Sequence, residues 1–170
     1  MFKRANGNVT PERSVLFVCL GNICRSPTAE GVFRAAAEHA GIGQRIRVDS
    51  AGLSDGHVGY PADRRAIQAA WRRGYDLTAM RGRQVEVADF SRFGWIIAMD
   101  DSNMRALTKM KPPDFGGHLG LLLDFAPELG IRDIPDPYYG SFEGFERVLD
   151  LIEISVAGLL ARVQAALAHE

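Results

Sequence analysis

The chain has 170 residues, 46% of them hydrophobic and 24% charged, the size and mix of one soluble globular domain. A formal net charge of -1, from 20 basic and 21 acidic side chains, gives no overall pull toward nucleic acid or an anionic membrane, so anion binding must be local. No apolar run approaches the roughly 18 residues that span a bilayer, residues 1–13 hold no apolar signal core, and two cysteines are too few for a disulfide scaffold; the expected compartment is the cytoplasm.

In chain order, Met1 to Arg13 reads as a flexible tail before a single domain over 14–170. Val15 to Val18 is a short apolar run suited to a buried parallel strand. It leads into a loop from Cys19 to Arg25, and Ser26-Pro27 then opens a helix, Ser as N-cap and Pro at the first helical position. Ala29, Val32, Phe33, Ala36 and Ala40 keep helical spacing, and Gly41 is the expected stop. A second strand is expected over Ile46 to Ala51, and a helix over Asp63 to Trp71 that ends before Gly74. Trp95 to Met99 is a third strand, followed by a helix from Ser102 to Lys109. A fourth strand is expected over Leu119 to Leu123. Phe142 to Ala168 reads as one long amphipathic helix. Strands alternating with helices imply a three-layer α/β fold with a parallel sheet. Ligands in such sheets sit beyond the carboxyl ends of the strands, where Cys19 lies.

The loop Cys19-Leu20-Gly21-Asn22-Ile23-Cys24-Arg25 has the chemistry of a phosphate cradle. Gly21 and Asn22 tolerate positive φ, so successive N–H groups can converge into an anion nest. The helix after Ser26 adds free N–H groups and its positive dipole end. Arg25 brings a planar fork that matches two phosphate oxygens. These same neighbours favour a thiolate at Cys19, and the Ser26 hydroxyl is placed to donate to it. One loop thus supplies a nucleophile and an oxyanion clamp. A Walker loop needs a second Gly followed by Lys, and neither is present. A zinc site needs about four ligands, and His39, His57, His118 and His169 show no paired spacing, so no metal or other cofactor is expected.

A proton donor for a leaving group is also required. Asp136, in Ile134-Pro135-Asp136-Pro137-Tyr138-Tyr139-Gly140, sits between prolines that stiffen the backbone. A solvated Asp-Pro turn explains Asp136 equally well on local grounds, and Asp100 and Asp101, after the third strand, are its rivals. Tyr138 and Tyr139 suit a wall against a flat aromatic group, or partial burial on the core.

Val18 through Pro27 resembles the signature of the low-molecular-weight protein-tyrosine phosphatases, bacterial members included, and Asp136-Pro137-Tyr138-Tyr139-Gly140 resembles that family's second signature. Val48 to Gly52, Pro61 to Ile67, Arg83-Gln84, Met99 to Asn103 and Leu121 to Pro127 are also similar, and the resemblance covers residues 14 to 168. It implies a four-stranded parallel sheet flanked by helices, with the phosphatase loop at the end of the first strand. It implies hydrolysis of phosphotyrosine proteins or small aryl phosphates through a cysteinyl-phosphate, without a metal, by a monomer or weak dimer. Cys19 is then the nucleophile, Arg25 the phosphate binder and Asp136 the general acid and base. Leu20, Gly21, Asn22, Ile23, Cys24, Ser26, Tyr138 and Tyr139 contact substrate, Ser50 supports the loop, and Cys24 is a redox partner of Cys19.

The chain departs from the family pattern at two places. Gly56 stands near an expected aromatic wall of the cleft, and Met80 near a histidine that props the loop asparagine. Arsenate reductases of this fold need cysteines downstream, and none follows Cys24. Arginine phosphatases carry threonine where Ile23 stands, and the larger apolar Ile23 favours an aryl substrate. A non-catalytic phosphoprotein-binding module is the reading from a different class, and Cys19, Arg25 and Asp136 together argue against it.

Overall fold

The structure, a computed structural model, describes residues 10–169. Residues 1–9 of the expected tail lie outside it, but the end of that tail is not loose. Pro11–Arg13 forms a 3-10 turn whose Pro11 carbonyl accepts from Gly94 N–H (2.7 Å), while the Glu12 carbonyl accepts from the Trp95 indole (3.1 Å).

Strand β1 (Ser14–Cys19) leads to helix α1 (Arg25–His39), β2 (Arg47–Gly52), α2 (Arg64–Arg72) and a short α3 (Asp89–Arg92). Then come β3 (Trp95–Ala98), α4 (Asp101–Met110), β4 (His118–Leu121) and α5 (Phe142–Leu167). The strands form one parallel sheet in the order β2-β1-β3-β4. The chain leaves β1 toward β2 and returns to its other side as β3. That reversal opens a crevice at the carboxyl end of β1.

Alternation along β1 divides the core. Val15, Phe17 and Cys19 face α1 and α5, with Phe33, Leu149, Ile152 and Val156. Leu16 and Val18 face the other layer, with Phe90, Phe93, Ile96 and Leu107. All six residues of β1 are buried, which is why the strand reads as an unbroken apolar run up to the cysteine.

The fourth strand is shorter than expected. Leu122–Phe125 winds into a 3-10 turn, because the Asp124 carboxylate accepts from Leu121 N–H (3.2 Å) and draws the chain out of the sheet. Helix α3 was not anticipated, since four residues carry no readable period.

The turn after β4 lies hard against α5 at Gly158, where an added Cβ would stand 2.0 Å from the Phe125 carbonyl oxygen. Gly158→Ala is therefore expected to destabilise the fold by about 1–3 kcal/mol, read as a lower urea midpoint with an unchanged slope.

Candidate active site

Cys19 ends β1 with its side chain 3% exposed. Helix α1 begins at Arg25, one residue before the expected Ser26 cap position. Ser26 lies in the first turn, fully buried, and its hydroxyl reaches Cys19 Sγ at 3.0 Å. The same oxygen accepts from Asn22 Nδ2 (2.9 Å), so its own proton is free to donate to the sulfur.

Asn22 has φ 57°, the only positive φ outside glycine among the described residues. This turns its N–H onto Cys19 Sγ (3.3 Å). Its side chain also donates to Ser50 Oγ (3.0 Å) and accepts from Arg83 N–H (3.0 Å). Met80 packs instead against the Ala62–Leu77 cluster, and the Arg83 backbone takes the propping role that the family pattern gives to a histidine. Gly52 N–H donates to the Arg83 carbonyl (2.8 Å), and the Arg83 guanidinium binds Asp49 (3.0 Å) and the fully buried Asp89 (3.0 and 3.1 Å). Helix α3 thus anchors the segment that supports the loop. Gly52 is required by close approach: a Cβ there would meet the Leu20 carbonyl oxygen at 3.0 Å and Asn22 N at 3.1 Å.

Behind Ser50 lies Glu30, 6% exposed, which accepts from Ser50 Oγ (2.8 Å) and from Arg34 Nη2 (2.8 Å). Burial pushes its carboxyl above the ordinary range, against the opposing pull of Arg34.

Arg25 is 2% exposed and held from behind. Its Nη1 donates to Asp100 Oδ2 (2.6 Å) and to the Ile134 carbonyl (3.0 Å). The other Asp100 oxygen caps α4 by accepting from Asn103 N–H (2.7 Å). Asp100 is therefore an anchor for Arg25, while Asp101 faces Arg105 (3.2 Å) on the surface.

Asp136 lies across the crevice, its side chain 40% exposed and Oδ2 3.6 Å from Arg25 Nη2. Ile134 N–H donates to the Met99 carbonyl (2.9 Å), which ties this loop to the end of β3. Tyr138 N–H donates to Asp136 Oδ1 (3.1 Å). Tyr138 and Tyr139 meet edge to face, and Tyr139 stands 93% exposed; Leu20 is exposed as well. Gly56 is exposed; the neighbouring His57 fills the wall position. Its ring lies 6.5 Å from that of Tyr138 and 3.2 Å from where a Cβ on Gly21 would stand.

Cys24 is buried in the same apolar cluster as Cys19 and within electrostatic reach of it. Its side chain is 5% exposed among Thr28, Ala66, Ala69, Pro137 and Phe145. Burial, with added repulsion from Asp63 and Cys19, pushes its thiol well up. Ile23 is likewise buried. No cluster of three or more His, Cys, Asp or Glu side chains fit for a metal occurs among the described residues.

Sequence reasoning gave no role in this assembly to Glu30 or Asp89, and met Arg83 and Arg65 only inside the resembling segments 83–84 and 61–67. Only the Glu30–Arg34 pair carried a local signal, an i,i+4 spacing on α1.

Residues 14–169 match the family model described as low molecular weight phosphotyrosine protein phosphatase, and the chain belongs to that family. The low molecular weight protein-tyrosine-phosphatase of Streptomyces coelicolor is 42% identical over 153 residues, which are 88% of this chain and 93% of that one. The crystal structure of YfkJ from Bacillus subtilis superimposes with a TM-score of 0.84 at 40% identity, over 94% of this chain and 98% of that one. A Drosophila arginine phosphatase shares the fold with a TM-score of 0.82 at 33% identity, over 87% of this chain and 96% of that one. The chain is a phosphoric monoester hydrolase of the protein-tyrosine phosphatase class. No described helix is long and apolar enough to cross a membrane.

The raised Glu30 carboxyl has a definite sign in stability. The native state holds the Glu30 proton more tightly than the unfolded chain, so stability falls as pH rises from the ordinary value of 4.5 through the higher native value. Urea unfolding from pH 4 to 7 is expected to show this loss in the natural protein and a shallower one in Glu30→Gln.

Proposed function

We propose that the protein removes phosphate from phosphotyrosine side chains or small aryl phosphates in two steps at Cys19. The observation that carries this reading is the sulfur of Cys19, which takes hydrogen bonds from Asn22 N–H and the Ser26 hydroxyl beside a buried Arg25. In the first step the Cys19 sulfur anion attacks phosphorus and the P–O bond to the phenol breaks. The N–H groups of residues 20–25 and the Nε–Nη2 edge of Arg25 hold the equatorial oxygens, because Asp100 and Ile134 occupy Nη1 from behind. Asp136 gives its proton to the departing phenolate oxygen. In the second step the Asp136 carboxylate takes a proton from water as that water attacks the cysteinyl-phosphate, and the S–P bond breaks to release inorganic phosphate. Tyr138 and Tyr139 flank the aryl group, and Ser50 keeps Asn22 in place.

A redox-sensitive pair at Cys19 and Cys24 is part of the same proposal. Burial keeps Cys24 protonated, so Cys19 is the sulfur that peroxide oxidises first to a sulfenic acid; condensation with the Cys24 thiol then releases water and leaves a reducible disulfide. A reducing compartment, the cytoplasm, suits this chemistry.

The arginine phosphatase shares the scaffold, so the choice between aryl and guanidino phosphates rests on side chains. Buried, apolar Ile23 offers no hydrogen bond to a guanidinium, whereas exposed tyrosines at the mouth suit a ring. Turnover compared on phosphotyrosine and phosphoarginine is expected to favour the first by at least about tenfold. Cys19→Ala should abolish turnover yet still bind phosphate. Asp136→Ala should lower kcat/KM for phenyl phosphate by about 10²-fold or more and for p-nitrophenyl phosphate far less. Activity in Cys19→Ala, or a preference for phosphoarginine, would reject the reading.

A further inference from the structure

Arg65, near the start of α2, touches neither Cys19 nor Arg25, yet it joins the two loops that carry the chemistry. On one side, Asp63 caps α2 and donates its N–H to the Ile23 carbonyl of the cysteine loop (2.8 Å). The Asp63 carboxylate accepts from Arg65 at two points, Nε (3.1 Å) and Nη2 (2.9 Å). Burial pushes the Asp63 carboxyl up, but the hydrogen bonds from the Arg65 side chain and backbone outweigh it and hold the group below its usual value. On the other side, Arg65 Nη2 donates to the Tyr138 carbonyl (2.9 Å) and Nη1 to the Gly140 carbonyl (3.3 Å). The guanidinium also lies 4.5 Å over the Phe145 ring and 5.6 Å from the Tyr138 ring centre.

We infer that Arg65 is a positioning residue that sets the Asp136 carboxyl over the cysteine loop by clamping the Tyr138–Gly140 backbone to α2. The link to Asp136 is short. Tyr138 N–H donates to Asp136 Oδ1, so fixing the Tyr138 peptide fixes the orientation of the acid. From the other end the loop is tied to the end of β3 through Ile134, four residues before Tyr138. Without Arg65, residues 138–140, all exposed, keep the Gly140 N–H to Pro137 carbonyl contact of their own turn (3.0 Å) and the Tyr138 N–H bond to Asp136 itself. Each partner also needs a different edge of a planar fork, so charge alone does not supply the clamp.

This inference rests on Asp136 being the proton donor, and the test separates the two. kcat/KM is measured for phenyl phosphate and p-nitrophenyl phosphate in the natural protein, Arg65→Ala, Arg65→Lys, Asp136→Ala and Arg65→Ala/Asp136→Ala. Arg65→Ala is expected to lose about tenfold on phenyl phosphate, a fraction of the roughly 10²–10⁴ that a general acid is worth, and less than about twofold on p-nitrophenyl phosphate. Arg65→Lys keeps the charge without the fork and should lose about as much, and it carries the test if the alanine variant does not fold. Inhibition by vanadate should stay within about twofold, showing an intact cradle. In the Asp136→Ala background the Arg65 change should cost nothing further. Equal losses on both substrates, full activity in Arg65→Lys, or an undiminished Arg65 effect without Asp136 overturns the clamp while Asp136 keeps its role. Equal slowing of both substrates by Asp136→Ala overturns the acid assignment and the clamp with it.

Discussion

The left-handed backbone of Asn22 is the constraint on which the site depends. Placing a non-glycine residue there costs about 1–2 kcal/mol, least for asparagine. Three hydrogen bonds to its side chain, at about 1 kcal/mol each, offset that cost. In return the Asn22 N–H points at Cys19 Sγ, and the loop closes tightly enough for α1 to begin at Arg25. The partners of Asn22 come from three separate elements: Ser26 on α1, Ser50 on β2 and Arg83 from the segment before α3. The sheet order brings them together, so the geometry of the loop is a property of the whole fold and not of the motif alone.

Charge is organised in the same local way. The chain is nearly neutral, yet the crevice gathers Arg25 and the start of α1, with Asp100 at Nη1 and Asp136 near Nη2 of Arg25. Two carboxylates beside one guanidinium do different things because their surroundings differ. Asp100 is committed to a helix cap and to Nη1. Asp136 sits at the solvent edge, bonded to one backbone N–H. Surroundings, not residue type, separate the tied carboxylate from the solvent-edge one.

Much of this was legible before any coordinates. Buried β1 read as an apolar run because both of its faces are covered, and α5 read as a helix because its apolar stripe persists over 26 residues. Cys19, Arg25, Asn22 and Ser26 were legible because one short loop carries them all. What stayed hidden depends on contacts distant in sequence. Glu30, Arg83 and Asp89 are ordinary charged residues in the chain, and only the fold sets them behind Asn22. Sequence put Asp136 ahead of Asp100 through the resemblance, and the structure adds that Asp100 is tied to a helix cap while both carboxylates lie near Arg25. Cys24 was placed at the site by the resemblance alone, and its side chain is buried in the core at the start of α1. His57 was hidden by a glycine at the position where an aromatic wall was sought.

The most direct measurement separates the Asn22 side chain from its backbone. Glycine adopts positive φ freely, so Asn22→Gly keeps the turn and removes only the hydrogen bonds to Ser26, Ser50 and Arg83. If those bonds hold the loop, alkylation of Cys19 by iodoacetate at neutral pH and kcat/KM for phenyl phosphate both drop by about 10²-fold. Near-natural rates in Asn22→Gly would mean that backbone permissiveness alone shapes the site, and that the network around Asn22 is incidental.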